Sequence, residues 1–370
     1  MASVAKYNSQ YGWRQVHVVI SVASGTRQAE DFYKSKIAPL LGNIKVEYQS
    51  HTTTSADSII ELTTDVFIPN AERGIPQTIL LLSGDGGMVD IVNTFMNTPT
   101  FSDRDRQQYC KPIIAIFPLG TGNALASSLK VEADDAASIT ALLDGTPRSL
   151  PIFRAKVSPG ARLLTNEARD EVVLPQNAAW GCVVCSWGLH ASLVADSDTA
   201  ECRKHGAQRF AMAAKENLFP ADGQVAHSYA GRVSVLRKNE GDWEELERKH
   251  HAYVLATLVS NLEKTFTISP ESKPLDGKLR LVHFGPMDGD AVMEIMKAAY
   301  DNGKHVQDPD VSYEAIQGVR IDFDEEDARW RRICVDGKII GVETGGYVEV
   351  TKEAEDVLDV LVCEMIGHQY

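Results

Sequence analysis

Apolar positions in the first 150 residues come in short unbroken runs separated by stretches of helical period. Val16–Ala23 reads as a strand that ends at Ser24-Gly25-Thr26, and Gln28–Leu41 carries apolar residues at helical spacing. Residues 44–50 (IKVEYQS) read as a second strand, a Thr/Ser cluster occupies 51–55, and 58–67 (SIIELTTDVF) is helical. Residues 77–84 (QTILLLSG) and 111–120 (KPIIAIFPLG) are continuous apolar runs. Such runs mark parallel strands covered on both faces. Strands alternating with helices predict an α/β domain with a mostly parallel sheet.

The pattern changes at the turn-rich stretch 144–151 (DGTPRSLP). Beyond it strands follow one another: RAKVS, AAWGCVVCS, GRVSVLRK, HAYVLATLVS, KLRLVHFG, GVRIDFD, ICVDGKIIG and YVEVT. Helical patterns interrupt them only near 196–217 and 288–301. Runs of strands without alternating helices predict an antiparallel sheet or sandwich. The expected domains are 1–148 (α/β) and 149–370 (β-rich), with the C-terminal tail able to pack back on the first.

Composition narrows the function classes. With 37 Lys and Arg against 51 Asp and Glu, the formal charge is −14. An acidic chain is a poor non-specific partner for nucleic acid or for anionic lipid surfaces. The first 25 residues show no long apolar segment of the signal-peptide kind. The six cysteines, at 110, 182, 185, 202, 334 and 363, form no disulfide-like framework. A reduced, cytoplasmic protein is the expectation. Cys182 and Cys185 lie at C-x-x-C spacing, but in a strand these positions point to opposite faces. Oligomeric state is left open, a dimer included.

Two glycine-rich junctions carry the chemistry. Residues 80–93 (LLLSGDGGMVDIVN) run from an apolar strand through Ser83-Gly84-Asp85-Gly86-Gly87 into a helix pattern. Residues 113–129 repeat the plan, with the loop Pro118-Leu119-Gly120-Thr121-Gly122-Asn123. Glycines allow tight turns and close backbone approach, and loop amides before a helix suit phosphate oxygens. Both loops can lie at one carboxyl edge of a sheet, where α/β folds bind ligands. Asp85 is the one carboxylate in the first turn, a residue type suited to accepting a proton or holding Mg²⁺.

These motifs resemble the catalytic domain of diacylglycerol, ceramide and sphingosine kinases. The resemblance extends through SWGLHASLVADSD and RKHGAQRF (186–210), ISPESKPLDGKLRLVHF (268–284) and VDGKIIG (335–341), covering roughly 14–352. It implies an NAD kinase/phosphofructokinase-like α/β domain followed by a β-sandwich that holds lipid, with ATP and Mg²⁺ as cofactors. The implied partners are a lipid or hydrophobic alcohol and, transiently, a membrane surface. Two alternatives stand beside this one. They are a catalytically weakened member that only binds lipid or nucleotide, and a kinase of a non-membrane hydrophobic alcohol.

The resemblance also assigns roles. Asp85 is the implied catalytic base. Ser24, Gly25, Thr26, Thr52 (or Thr53), Ser83, Gly84, Gly86, Gly87, Gly120, Thr121, Gly122, Asn123, Arg203, Arg209 and Asp336 are implied at the nucleotide. Trp187, His190, Ser192 and Asp196 are implied at the substrate. Mg²⁺ comes with ATP, and Asp85 and Asp336 are the carboxylates open to it. His190, His205, His250 and His251 lack metal-ligand spacing, and the acidic run Asp324–Asp327 reads as a solvated hairpin between two strands. Three departures stand out. The first glycine loop keeps only Gly25. The family's Asp-Gly-Glu is Asp336-Gly337-Lys338. A family aspartate that meets an amino-alcohol head is Ser192 here, with Asp196 or Asp198 as substitutes or else a neutral substrate.

Overall fold

The computed structural model describes residues 14–98, 108–131, 142–143, 145–221, 223, 225–238 and 241–362. The segment before Arg14 and Cys363 lie outside these residues. The chain divides into two compact units. One holds residues up to Leu150 together with those from Glu355 onward, and the other is Pro151–Ala354.

The first unit is built on a six-stranded sheet. We label its leading strands β1 (Gln15–Ile20), β2 (Gln49–Thr52), β3 (Gln77–Ser83) and β4 (Ile113–Pro118). The spatial order is β2, β1, β3, β4, then Asp359–Val362, then Thr146–Ser149. All neighbouring pairs are parallel except the last. The uninterrupted apolar run of β3 is buried at every position, as a strand covered on both faces requires. Val18, Ile20, Leu80, Leu82 and Phe117 pack on one side with Phe32, Ile37 and Leu41 of the first helical segment. The order reverses between β1 and β3, which places a topological switch point at their carboxyl ends.

Two helices are longer and less regular than their sequence patterns suggest. The first runs from Ala29 to Asn43 with a π-turn at Tyr33–Ile37, the second from Ser58 to Glu72 with one at Thr63–Phe67. In each, a proline (Pro39, Pro69) sits just after the wide turn. A proline lacks an N–H and crowds the preceding turn, and a wider turn accommodates it. The second strand also falls later than expected, at Gln49–Thr52 rather than 44–50.

The second unit contains an eight-stranded and a seven-stranded antiparallel sheet. Their inner faces share one core, in which Phe153, Ala155, Val233 and Ile321 of the smaller sheet meet Trp187, Val254, Leu281 and Ile333 of the larger. This is the β-sandwich expected from the strand runs. Three sequence expectations are corrected in detail. AAWGCVVCS is two strands, Ala178–Gly181 and Val184–Gly188, in different sheets, so the single-strand argument about Cys182 and Cys185 does not apply. ICVDGKIIG is a hairpin, with Asp336 and Gly337 both at positive φ as a two-residue turn requires. The helix expected near 196–217 is three: Leu189–Ser197, Ala200–Arg203 and Gln208–Leu218.

The acidic run is not a hairpin. It connects Gly318–Phe323 to Arg332–Val335, which belong to different sheets. Glu325 within it is buried and accepts from His227 Nε2 (2.8 Å) and the Ala230 amide (2.7 Å). The described cysteines are all free thiols. Among the described residues no helix is long and apolar enough to cross a membrane.

Candidate active site

Three turns converge at the carboxyl edge of the first sheet. The turn after β1 reaches the turn after β3 through Ser24, whose Oγ accepts the Gly84 amide at 3.0 Å. The turn after β3 meets the loop after β4 backbone to backbone. A Cβ built on Gly120 would lie 2.4 Å from Gly84 Cα, and one on Gly84 would lie 2.8 Å from Gly120 Cα. Gly25, at φ +50°, leaves no room either, since its Cβ would meet the Leu119 carbonyl oxygen at 2.3 Å. β2 joins through Thr53, whose Oγ1 accepts the Val22 amide at 3.2 Å. The buried threonine of this segment is therefore Thr53, while Thr52 is exposed.

Asp85 opens the helix Asp85–Asn97. Its carboxylate does not cap that helix but reaches across to the next, Ala124–Ser128. Oδ2 accepts the Ala124 amide at 2.6 Å and Oδ1 the Leu125 amide at 3.2 Å. Burial raises the proton affinity of this carboxyl, and the two amides only partly offset it. Gly86 is exposed beside it, Gly87 is packed against the Ser83 side chain, and Thr121 is exposed. In the second loop, Gly120 N is taken by Asn123 Oδ1, so this donor turns inward rather than toward a ligand. Gly122 is half-buried.

Residues 15–155 match the family described as diacylglycerol kinase catalytic domain. Human sphingosine kinase 1 (Homo sapiens) is 23% identical over 318 residues, spanning 79% of this chain and 78% of that protein. Sphingosine kinase 1 of Rattus norvegicus is 22% identical over 317 residues, with 79% and 77% covered. A crystal structure of a diacylglycerol kinase from Bacillus anthracis str. Sterne superposes with a TM-score of 0.56 at 11% identity, covering 95% of this chain and 98% of that one. Residues 15–155 thus carry a diacylglycerol kinase catalytic domain, and the chain is a lipid kinase similar to the sphingosine kinases.

In this lipid kinase the second unit places the remaining sequence-derived residues in three settings. Arg203 and Arg209 share one carboxylate. Arg203 Nη2 lies 2.9 Å and Arg209 Nη1 3.7 Å from Asp198 Oδ1. Asp336 is buried, and its two oxygens accept amides of Cys182 (2.6 Å), Val183 (3.1 Å) and Val184 (2.6 Å). This carboxylate ties down the backbone that separates Ala178–Gly181 from Val184–Gly188. Among the described residues no group of three or more His, Cys, Asp or Glu side chains could hold a metal.

The expected substrate residues are more closed than the sequence suggests. Trp187 is fully buried in the sandwich core, edge-on to Tyr229 and Phe323. Ser192 is also buried, its hydroxyl 2.8 Å from that of Tyr229. His190 Nδ1 lies 2.7 Å from Ser186 Oγ, and burial holds its pKa down at about 4, so the ring is neutral. Asp196 accepts from Arg332 (2.7 Å), Arg329 (3.0 Å) and Asn217 (3.1 Å). Burial alone would raise its pKa, but the Arg332 charge and these hydrogen bonds hold it below the usual value.

Tyr229, Arg329 and Arg332 were missed by sequence reasoning. Each lies more than 30 residues from its partner in the chain. Only an alternating strand pattern marks Tyr229, and a charged run (324–332) marks Arg329 and Arg332, and neither signals which residue is the partner.

Proposed function

We propose that this lipid kinase transfers the γ-phosphoryl group of ATP to a neutral hydroxyl of a hydrophobic substrate, with Asp85 as the general base. The seat of Asp85 carries the reading. It lies between two glycine turns at the switch point of a parallel sheet, and burial makes its carboxyl a stronger base than a solvated one. ATP with Mg²⁺ supplies the phosphoryl group. Mg²⁺ in such sites is held mainly by phosphates and water, with one or two carboxylates at most. The missing Cβ atoms of Gly25, Gly84 and Gly120 let the three turns pack against one another and bring their loops to one rim. Ser24, Thr26, Thr53, Ser83, Gly86, Gly87, Thr121 and Gly122 complete the proposed cradle. Asp85 then accepts the proton of the attacking hydroxyl. Positioning and electrostatics supply most of the rate in this chemistry.

The preference for a neutral head follows from charge already spent. The relatives are named for sphingosine, an amino alcohol, and a protonated amine wants a carboxylate of its own. Position 192 is a serine, Asp196 is engaged by two arginines and an asparagine, and Asp198 by two arginines.

The test is ATP consumption by the purified protein with a panel of neutral and amino lipid alcohols, read by mass spectrometry of products. Phosphorylated neutral alcohol is expected. Asp85→Asn is expected to lose turnover by about 100-fold or more while still binding nucleotide. Wild-type turnover in that variant would overturn the base assignment. Much faster phosphorylation of sphingosine than of neutral alcohols would overturn the head-group reading.

A further inference from the structure

We infer that Asn123 is a positioning residue for Asp85, presenting the two amides that hold its carboxylate rather than contacting nucleotide. The inference rests on the reading of Asp85 as the base.

Asn123 stands in the left-handed region (φ 53°, ψ 48°) immediately before the helix Ala124–Ser128. Asparagine tolerates this conformation better than other residues with a Cβ. Its side chain closes on its own loop from both ends. Oδ1 accepts the Gly120 amide at 2.9 Å, and Nδ2 donates to the Gly120 carbonyl at 2.8 Å. Acceptor and donor are thus both spent on the loop, which leaves the side chain poorly suited to grip a ligand. The backbone that follows sends its next two amides, Ala124 and Leu125, to the two oxygens of Asp85.

A second route leads to the same carboxylate. Asn123 Oδ1 fills the space beside Gly120, where a Cβ would come within 2.8 Å of it. Gly120 in turn packs on Gly84, the residue before Asp85. The helix that begins here has only five residues, so the orientation of individual amides matters more than a summed dipole. Those amides lower the proton affinity that burial raises. Loosening them moves the carboxyl further upward.

The experiment compares kcat, KM for ATP and the pH–rate profile in Asn123→Gly and Asn123→Asp. Glycine keeps the left-handed backbone and removes the clamp. Aspartate keeps the acceptor for Gly120 N, loses the donor and adds charge near Asp85. In the glycine variant kcat is expected to fall about 10-fold or more, with KM for ATP within about threefold. The acid limb of kcat moves to higher pH in both variants. A raised KM with unchanged kcat and acid limb would mark Asn123 as a nucleotide contact and overturn the inference, as would wild-type kinetics. Asn123→Asp carries the same test should the glycine variant lose its cooperative melt. Asp85→Asn separates the two readings. If it retains full turnover, the base assignment fails and this inference with it. If it is inactive while both Asn123 variants keep the wild-type acid limb, only the positioning role fails.

Discussion

Gly84 and Gly120 touch through their backbones, each filling the space where the other would carry a Cβ. The contact fixes the distance between the turn that bears Asp85 and the loop whose helix holds its carboxylate. In Gly120→Ala the two turns must separate. Displacement of a reacting group by about 1 Å can cost on the order of 100-fold in rate, and overpacking roughly 1–3 kcal/mol in stability. Both effects are expected, in steady-state turnover and in denaturant unfolding. Gly86→Ala serves as the stability control, because a Cβ there meets nothing within 4 Å.

Buried neutral histidines set the response to acid. Burial holds His17 at about 4, with the neighbouring His51 adding to the effect, and burial likewise holds His251 and His283 at about 4. The unfolded chain takes up these protons near pH 6.5, the folded chain only near 4. The unfolded state therefore binds more protons in that interval, and stability falls as pH drops from about 6.5 to 4. For His17, which is 1% exposed, the full effect is on the order of 3 kcal/mol. His17→Leu is expected to flatten the dependence of melting temperature on pH over this window, and an unchanged slope would remove His17 from the account.

Asp336 closes three amides of a strand break. Asp336→Ala leaves the Cys182, Val183 and Val184 amides buried without that acceptor. An unsatisfied buried donor costs about 1–3 kcal/mol, so a loss of roughly 3 kcal/mol or more is expected. Urea unfolding followed by tryptophan fluorescence measures it. Nucleotide affinity lost with stability intact would instead favour a ligand-facing role.

Arg332→Met removes the chief partner of Asp196. A cost of about 2 kcal/mol is expected at neutral pH for this partly buried pair. Because the folded carboxyl sits below its usual value near 3.8, the stabilisation is present above that pH and fades as pH falls through the folded value. The difference between wild type and variant therefore shrinks in strong acid. A pH-independent difference would point to lost packing instead.

The sequence made the first sheet and its two glycine junctions legible because their signals are local. β3 and β4 are continuous apolar runs, and each leads directly into its own loop and helix. The placement of Asp85 near residues 118–125 followed from topology alone. What could not be read was pairing across long separations. Asp336 and the amides of 182–184 lie about 150 residues apart, and that bond splits an apolar run that looks like one strand. Asp170–Val173, exposed at every position, lacks the alternation that marks a strand. Pro39 and Pro69 were visible, but whether a proline ends a helix or widens a turn depends on the packing around it.

The strand Asp359–Val362 sits inside the first sheet, between β4 and Thr146–Ser149, although the ribosome makes it only after all of Pro151–Ala354. During synthesis the first unit must therefore wait, with the Ile113 and Ile114 ladder open, while some 200 residues of another unit emerge. Completion of the catalytic half is thus timed by the birth of its last strand, and a ribosome stalled before residue 359 releases a protein with an unsealed sheet.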